Sequence, residues 1–175
     1  MTPIRRIASQ SELELHEVYA DREHRMGHIG NVLVCFSRSE PSGQLLPRFT
    51  EAIRELNVRY SGGVAFLVVI DSDAGPPSER VREQIKKTLR DPGIRLAALA
   101  QVVEGRGFMA ASKRSALALI ALVARFPFPL KIFDTVSSGA EWILEKMGDG
   151  ALDNLTVSQL MAATHQLRGT AREPA

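Results

Sequence analysis

Residues 64–70 read Val64, Ala65, Phe66, Leu67, Val68, Val69, Ile70: seven apolar side chains without a break. A strand with one wetted face alternates apolar and polar residues. An unbroken, largely β-branched run needs cover on both faces. The chain must therefore supply two covering layers around a central strand. That requirement excludes a free-standing hairpin and a sheet with one side in water. With 175 residues the chain has the material, since roughly 100–200 residues make one domain.

The flanking sequence supplies the layers. Residues 13–23 carry Leu13, Leu15, Val18 and Tyr19 among charges and read as an edge strand. Residues 25–31 hold Gly27, Gly30 and Asn31 and read as a turn. Residues 32–36 form a second continuous β-prone run, so the first two strands make a hairpin. Apolar residues at Leu45, Leu46, Phe49, Ala52, Ile53 and Leu56 have helical spacing, closed by Ser61-Gly62-Gly63. After the central run, Ser78 is placed to cap a helix whose apolar stripe is Val81, Ile85 and Leu89, stopped by Asp91-Pro92-Gly93. Residues 94–103 read as a third buried strand. Gly105-Arg106-Gly107 turns into a helix reaching about Arg125, and Leu130 to Phe133 is a short strand. Ser137 or Ser138 is placed to cap a helix through Trp142 and Met147 that stops at Gly148. A last helix fits residues 157–168, with Thr156 and Gln159 in capping-box register and Gly169 at its end.

Strands alternating with helices of this length predict an α/β fold. The expected form is an open, mostly parallel sheet of four to five strands with helices on both faces, plus a C-terminal helix. The expected organisation is a flexible segment over residues 1–12, an α/β domain over 13–147 and a helical extension over 148–175.

Composition narrows the function classes. Apolar residues make up 45% and charged residues 24%, the balance of a folded chain. A single cysteine excludes an internal disulfide and a multi-cysteine zinc site, and four histidines leave little for a metal cluster. The longest apolar run, residues 116–124, is far short of the roughly 20 residues a spanning helix needs. The N-terminus is basic without an apolar stretch, which predicts no secretory signal and a cytoplasmic protein. The net charge of +2 and the lack of interleaved aromatics argue against nucleic-acid binding.

Three features together resemble a STAS domain, the sulphate-transporter and anti-sigma-factor-antagonist family. One is the opening hairpin before a β-α alternation. Another is Val68-Val69-Ile70-Asp71-Ser72-Asp73, which is similar to the family's strand-end Asp-Ser-Ser-Gly signature. The third is Ile132-Phe133-Asp134-Thr135-Val136-Ser137-Ser138-Gly139-Ala140-Glu141-Trp142, which resembles the closing strand, turn and helix of bacterial members. The resemblance covers about residues 13–147. It implies a non-enzymatic signalling module that binds a partner protein, often a kinase of the anti-sigma type. In phosphorylated members a serine at the start of the helix after the central strand accepts phosphate. Asp73 stands at the position of the signature's second serine, so a carboxylate already occupies it. Pro76-Pro77 is inserted before the helix, a departure from the pattern.

Two loops are candidate sites. The first holds Asp71, Ser72, Asp73 and Ser78 at the carboxyl end of the central strand, where ligands and partners of open α/β sheets gather. It serves either as a recognition surface with Ser72 or Ser78 modified, or as a plain turn with a capping serine. The second holds Gly105, Arg106 and Gly107 with Lys113 and Arg114, an amide-rich helix start beside cations that suits an anion. The alternative is a tight turn with solvated basic side chains. From Arg106 to Lys131 there are five basic residues and no acidic one, followed by an acidic stretch. The apolar run at 116–124 needs cover on every side. The C-terminal helix, a second copy in a homodimer, or another protein would provide it. His24 and His28, next to Glu23, read as an exposed hairpin turn, Cys35 as a small buried hydrophobe and Trp142 as a core anchor. No nucleophile with a base, no paired carboxylates and no cofactor cradle emerges. No catalytic residue, metal or cofactor is therefore expected. The leading expectation is a regulatory module. A binder of a small anionic or lipid-like ligand and an oligomerising structural subunit are the alternatives.

Overall fold

A computed structural model describes residues 9–107, 110–115, 117, 118 and 125–170. The chain has the expected α/β class. Its strands are β1 (His16–Ala20), β2 (His24–Ile29), β3 (Val32–Ser37), β4 (Ala65–Ile70), β5 (Ala98–Val103) and β6 (Leu130–Phe133). They lie in the sheet in sequential order. β1, β2 and β3 pair antiparallel, and β3 to β6 pair parallel. The helices are α1 (Leu45–Arg59), α2 (Glu79–Leu89), α3 (Val136–Met147) and α4 (Val157–Thr170), with residues 110–115 also helical. The sheet is thus mixed and six-stranded rather than mostly parallel with four or five strands.

The extra strand comes from residues 24–29, which the glycines mark as a turn. Gly27 is instead in mid-strand, because a Cβ there would lie 2.8 Å from the backbone oxygen of His16 on β1. A glycine inside a strand can mark close backbone approach as well as a turn. Only Gly30 and Asn31 connect β2 to β3, with Gly30 at φ 54°. His24 is consequently not on an exposed turn. It is fully buried on β2, and Met26 beside it is in the core.

In-register pairing sorts the side chains onto two faces. The return face carries Val34, Phe36, Leu67, Val69, Ala100 and Val102, and α3 and α4 lie on it. Small residues let α3 sit close. A Cβ on Gly139 would already lie 3.0 Å from Val102 Cγ2. The crossover face carries Leu33, Cys35, Phe66, Val68 and Leu99. α1 lies on this face through Phe49, whose ring centroid is 4.8 Å from that of Phe66, and α2 packs beside α1. The central strand is therefore covered unevenly: Ala65, Leu67 and Val69 are buried, Phe66, Val68 and Ile70 only half so.

The C-terminal helix is part of this core rather than an extension. Leu160, Ala163 and Leu167 of α4 are buried, and α4 touches both α3 and β3. Residues 9–12 are held as well. Glu12 is buried, accepts from Tyr60 Oη at 3.2 Å, and its backbone oxygen accepts from Gly30 N at 2.6 Å. At the amino edge Asn31 donates from Nδ2 to Gly63 O at 2.9 Å and to Gly150 O at 2.8 Å, tying three turns together. Gly62 and Gly150 meet backbone to backbone, leaving no room for a side chain on either.

The capping expectations fare differently. Ser78 caps α2 as expected, its Oγ accepting from Val81 N. Thr156 and Gln159 form the reciprocal capping box of α4, but the helix runs through Gly169 to Thr170. α3 is capped by Thr135, not by Ser137 or Ser138: its Oγ1 accepts from Ser138 N at 3.2 Å. Trp142 is half-buried and lies against Phe133 at the sheet margin, with ring centroids 5.6 Å apart, rather than in the core. The apolar run at 116–124, and with it the expected third-helix homodimer contact, lies outside the described residues apart from Leu117 and Ala118.

Candidate functional site

The parallel strands end together at Ser37, Ile70, Val103 and Phe133, so the loops that follow share the carboxyl edge of the sheet. The loop after β4 begins on this edge, with Asp71 N donating to Ser37 O at 2.9 Å. Asp71 Oδ1 accepts from Asp73 N at 3.0 Å, which folds the chain back on itself. Ala74 turns inward and is buried, while Ser72, Asp73 and Ser78 are exposed, the Ser78 hydroxyl lying on the start of α2.

Lys113 joins this loop to the other candidate segment. Its Nζ donates to Ser72 O at 2.7 Å and to Ala74 O at 2.9 Å. Arg114 donates from Nη1 to Val103 O at 3.1 Å and to Gly105 O at 3.2 Å. Gly105, at φ 115°, brings its backbone to Ser72, whose Cβ would be 3.4 Å from a side chain there. Arg106 and Gly107 are exposed beside it. The two candidate loops, well separated in the chain, are thus one surface. Lys113 and Arg114 spend hydrogen bonds on backbone oxygens, so they act first as braces for the loops rather than as open anion ligands.

A third brace comes from a residue the sequence pattern does not mark. Glu40, in the loop after β3, accepts from Ser78 N through Oε2 at 2.5 Å. That bond holds the Glu40 carboxyl below its ordinary range. The loop from 71 to 78 is therefore fixed at its start by Ser37, in its middle by Lys113 and at its end by Glu40.

Nearby, the hairpin β1–β2 carries a polar cluster that the alternation of His24, Met26 and His28 with their neighbours could have shown. Asp21 accepts from Glu23 N at 2.8 Å, His24 N at 2.7 Å and Tyr19 Oη at 2.6 Å, and lies 3.2 Å from His24 Nδ1. Burial pushes its carboxyl up, but the bonds from Tyr19, Glu23 and His24 outweigh this, so it sits below its ordinary value. His24 Nε2 is buried without a hydrogen-bond partner. The arrangement looks like an acid–base dyad, yet His24 is fully enclosed and meets no open cleft. Its chemistry is that of a hairpin lock. Cys35 matches its expected role: burial raises its thiol to about 12, which keeps it protonated and inert.

At the other end of the hairpin the rings of His16 and His28 stack, with centroids 5.1 Å apart. Desolvation lowers the pKa of His28, and the charges of His16 and Arg59 lower it further. A histidine depressed in the folded state binds its proton more weakly there than in the unfolded chain. Its contribution to stability is therefore whole above about pH 6.5 and is lost as pH falls below that value. Urea titrations at pH 7.5 and 5.5 should show a smaller loss for His28→Gln than for the parent chain. An equal loss in both would remove His28 as the cause.

Among the described residues no three His, Cys, Asp or Glu side chains converge as a metal would require, and no helix is long and apolar enough to cross a membrane. The chain matches no protein-family model, no curated protein and no solved structure.

Proposed function

We propose that this chain is a non-enzymatic regulatory module of the STAS type, acting in the cytoplasm. It binds a partner protein through the carboxyl-edge loop at 71–78 and the start of α2. The observation that carries this reading is the bracing of that loop. Ser72 and Asp73 project into solvent while Lys113 grips the backbone on both sides of Asp73. A loop whose backbone is fixed loses little conformational entropy on binding, which favours recognition. The antiparallel hairpin ahead of a parallel β-α alternation supports the STAS resemblance. The partner class it suggests is a kinase or another anti-sigma-like regulator, with Ser72 and Ser78 both exposed to modification. The anionic-ligand reading draws less support, because Lys113 and Arg114 already serve backbone oxygens.

The test begins with Lys113→Met. Hydrogen exchange at the amides of residues 73–75 should speed up about tenfold, with a stability change of only about 1 kcal/mol. Affinity capture from native cell extract should then retain a protein on the parent chain, lose it on Asp73→Ala and weaken it on Lys113→Met. A captured set unchanged by both substitutions would place the binding surface elsewhere and end this reading. Phosphate on neither serine after incubation with extract and ATP would remove the modified form.

A further inference from the structure

The two helical layers that sandwich the sheet carry opposite charge. Over residues 45–59 and 79–95, the layer of α1 and α2, nine basic residues face five acidic ones. Over residues 136–170, the layer of α3 and α4, four acidic residues face two basic ones, and Arg168 is already paired with Glu104. In the first layer Arg48 pairs with Glu51 at 2.7 Å, Arg54 with Asp91 at 3.4 Å and Lys86 with Glu83 at 3.5 Å. The surplus therefore lies along α2, where Arg82 and Lys87 are exposed. On the second layer Glu141 and Glu145 are exposed one turn apart, Glu145 lying 3.8 Å from Lys146 Nζ and Glu141 accepting from Ser137 Oγ at 3.1 Å. Each layer also shows one large apolar side chain. Val58 of α1 is 90% exposed and Met161 of α4 is 43% exposed.

We propose that copies of this chain associate head to tail, the α1–α2 layer of one against the α3–α4 layer of the next. The layers lie on opposite faces of one sheet. A two-fold pairing of like layers would set a net basic face on a basic one or an acidic face on an acidic one, whereas a head-to-tail contact sets opposite net charges together. The contact is heterologous, so it extends beyond two copies as an open chain or closes as a ring. Charge complementarity names the occupant. A polynucleotide fits the basic layer less well, because five carboxylates are interspersed there and the aromatic residues of α1 and its cap, Phe49 and Tyr60, are buried and offer no stacking platform. The basic layer meets the carboxyl-edge loop at the start of α2, but the inference is carried by the charge of the two layers and not by the partner-binding reading.

Sedimentation of the full chain at about 20 mM and about 500 mM salt tests it, since the Debye length falls several-fold between them. The weight-average mass at low salt should rise with concentration past two copies, and at high salt it should return to the 19.2 kDa monomer. Arg82→Glu with Lys87→Glu should keep the parent's circular dichroism and melting temperature and remain monomeric at low salt. Glu141→Lys with Glu145→Lys should do the same. An equimolar mixture of the two variants should assemble again, because each now offers the layer the other lacks. A monomer at low salt up to about 0.5 mM, a mass that levels off at two copies, or a mixture that stays monomeric would each overturn the proposal. So would binding of a short RNA by the monomer that Arg82→Glu abolishes.

Discussion

Asn31→Ala should cost this protein about 3 kcal/mol. The side chain is 1% exposed, and its amide donates to Gly63 O and Gly150 O. Alanine removes both bonds and leaves two carbonyls in a site that water reaches poorly. A lost bond of this kind is worth about 1 kcal/mol, and an unsatisfied buried carbonyl costs about 1–3 kcal/mol. Asn31→Asp should be at least as damaging, since it sets a desolvated carboxylate against two carbonyl oxygens. Urea denaturation followed by circular dichroism would measure this as a lower midpoint with an unchanged slope. A loss below about 1 kcal/mol would show that the three turns meet without the help of Asn31.

Asp21→Ala should cost a similar amount, about 3 kcal/mol at pH 7, through the hairpin lock. One carboxylate organises Tyr19, the two backbone amides and the ring of His24. Its removal leaves a buried imidazole with neither nitrogen satisfied. Asp21→Asn keeps an acceptor oxygen and should lose about half as much. The pH dependence separates charge from shape. The folded-state carboxyl titrates below its ordinary value, so its stabilisation is present above about pH 3.9 and is lost as pH falls through the folded value. Asp21→Asn and the parent chain should therefore differ most near neutrality and converge in acid. A gap that is constant with pH would mean that the carboxylate acts through shape alone.

Most of the fold was legible, and the failures have definite physical origins. The run at 64–70 demanded two covering layers, and two layers are present. The helices followed from apolar spacing because each buries one stripe. β2 carries no clear strand pattern because glycine marks turns as well as close backbone approach, and Gly27 is required by the approach of His16. The role of α4 is not legible because a helix with its own capping box after the closing helix looks like an appendage. Leu160 and Leu167 show that it completes the return face. For the site, Asp71, Ser72, Asp73 and Ser78 were legible from their position after the central strand. Their union with Lys113 and with Glu40 was not. Those contacts span 38 to 41 residues and carry no local pattern. Local spacing reports periodic burial, and tertiary hydrogen bonds between loops have no period.

The sequential order of the strands has a consequence for how the chain reaches this fold. Among the described residues no strand is inserted between two others, so each can dock on the neighbour just before it. The sheet can grow outward from the β1–β2–β3 meander with short loop closures, a low-contact-order route. The closures that remain are long: Asn31 to Gly150 spans 119 residues and Glu104 to Arg168 spans 64. Contacts of such long sequence separation are expected to close last. The energy lost on Asn31→Ala should consequently appear in the unfolding limb of a chevron plot, with the refolding limb nearly unmoved.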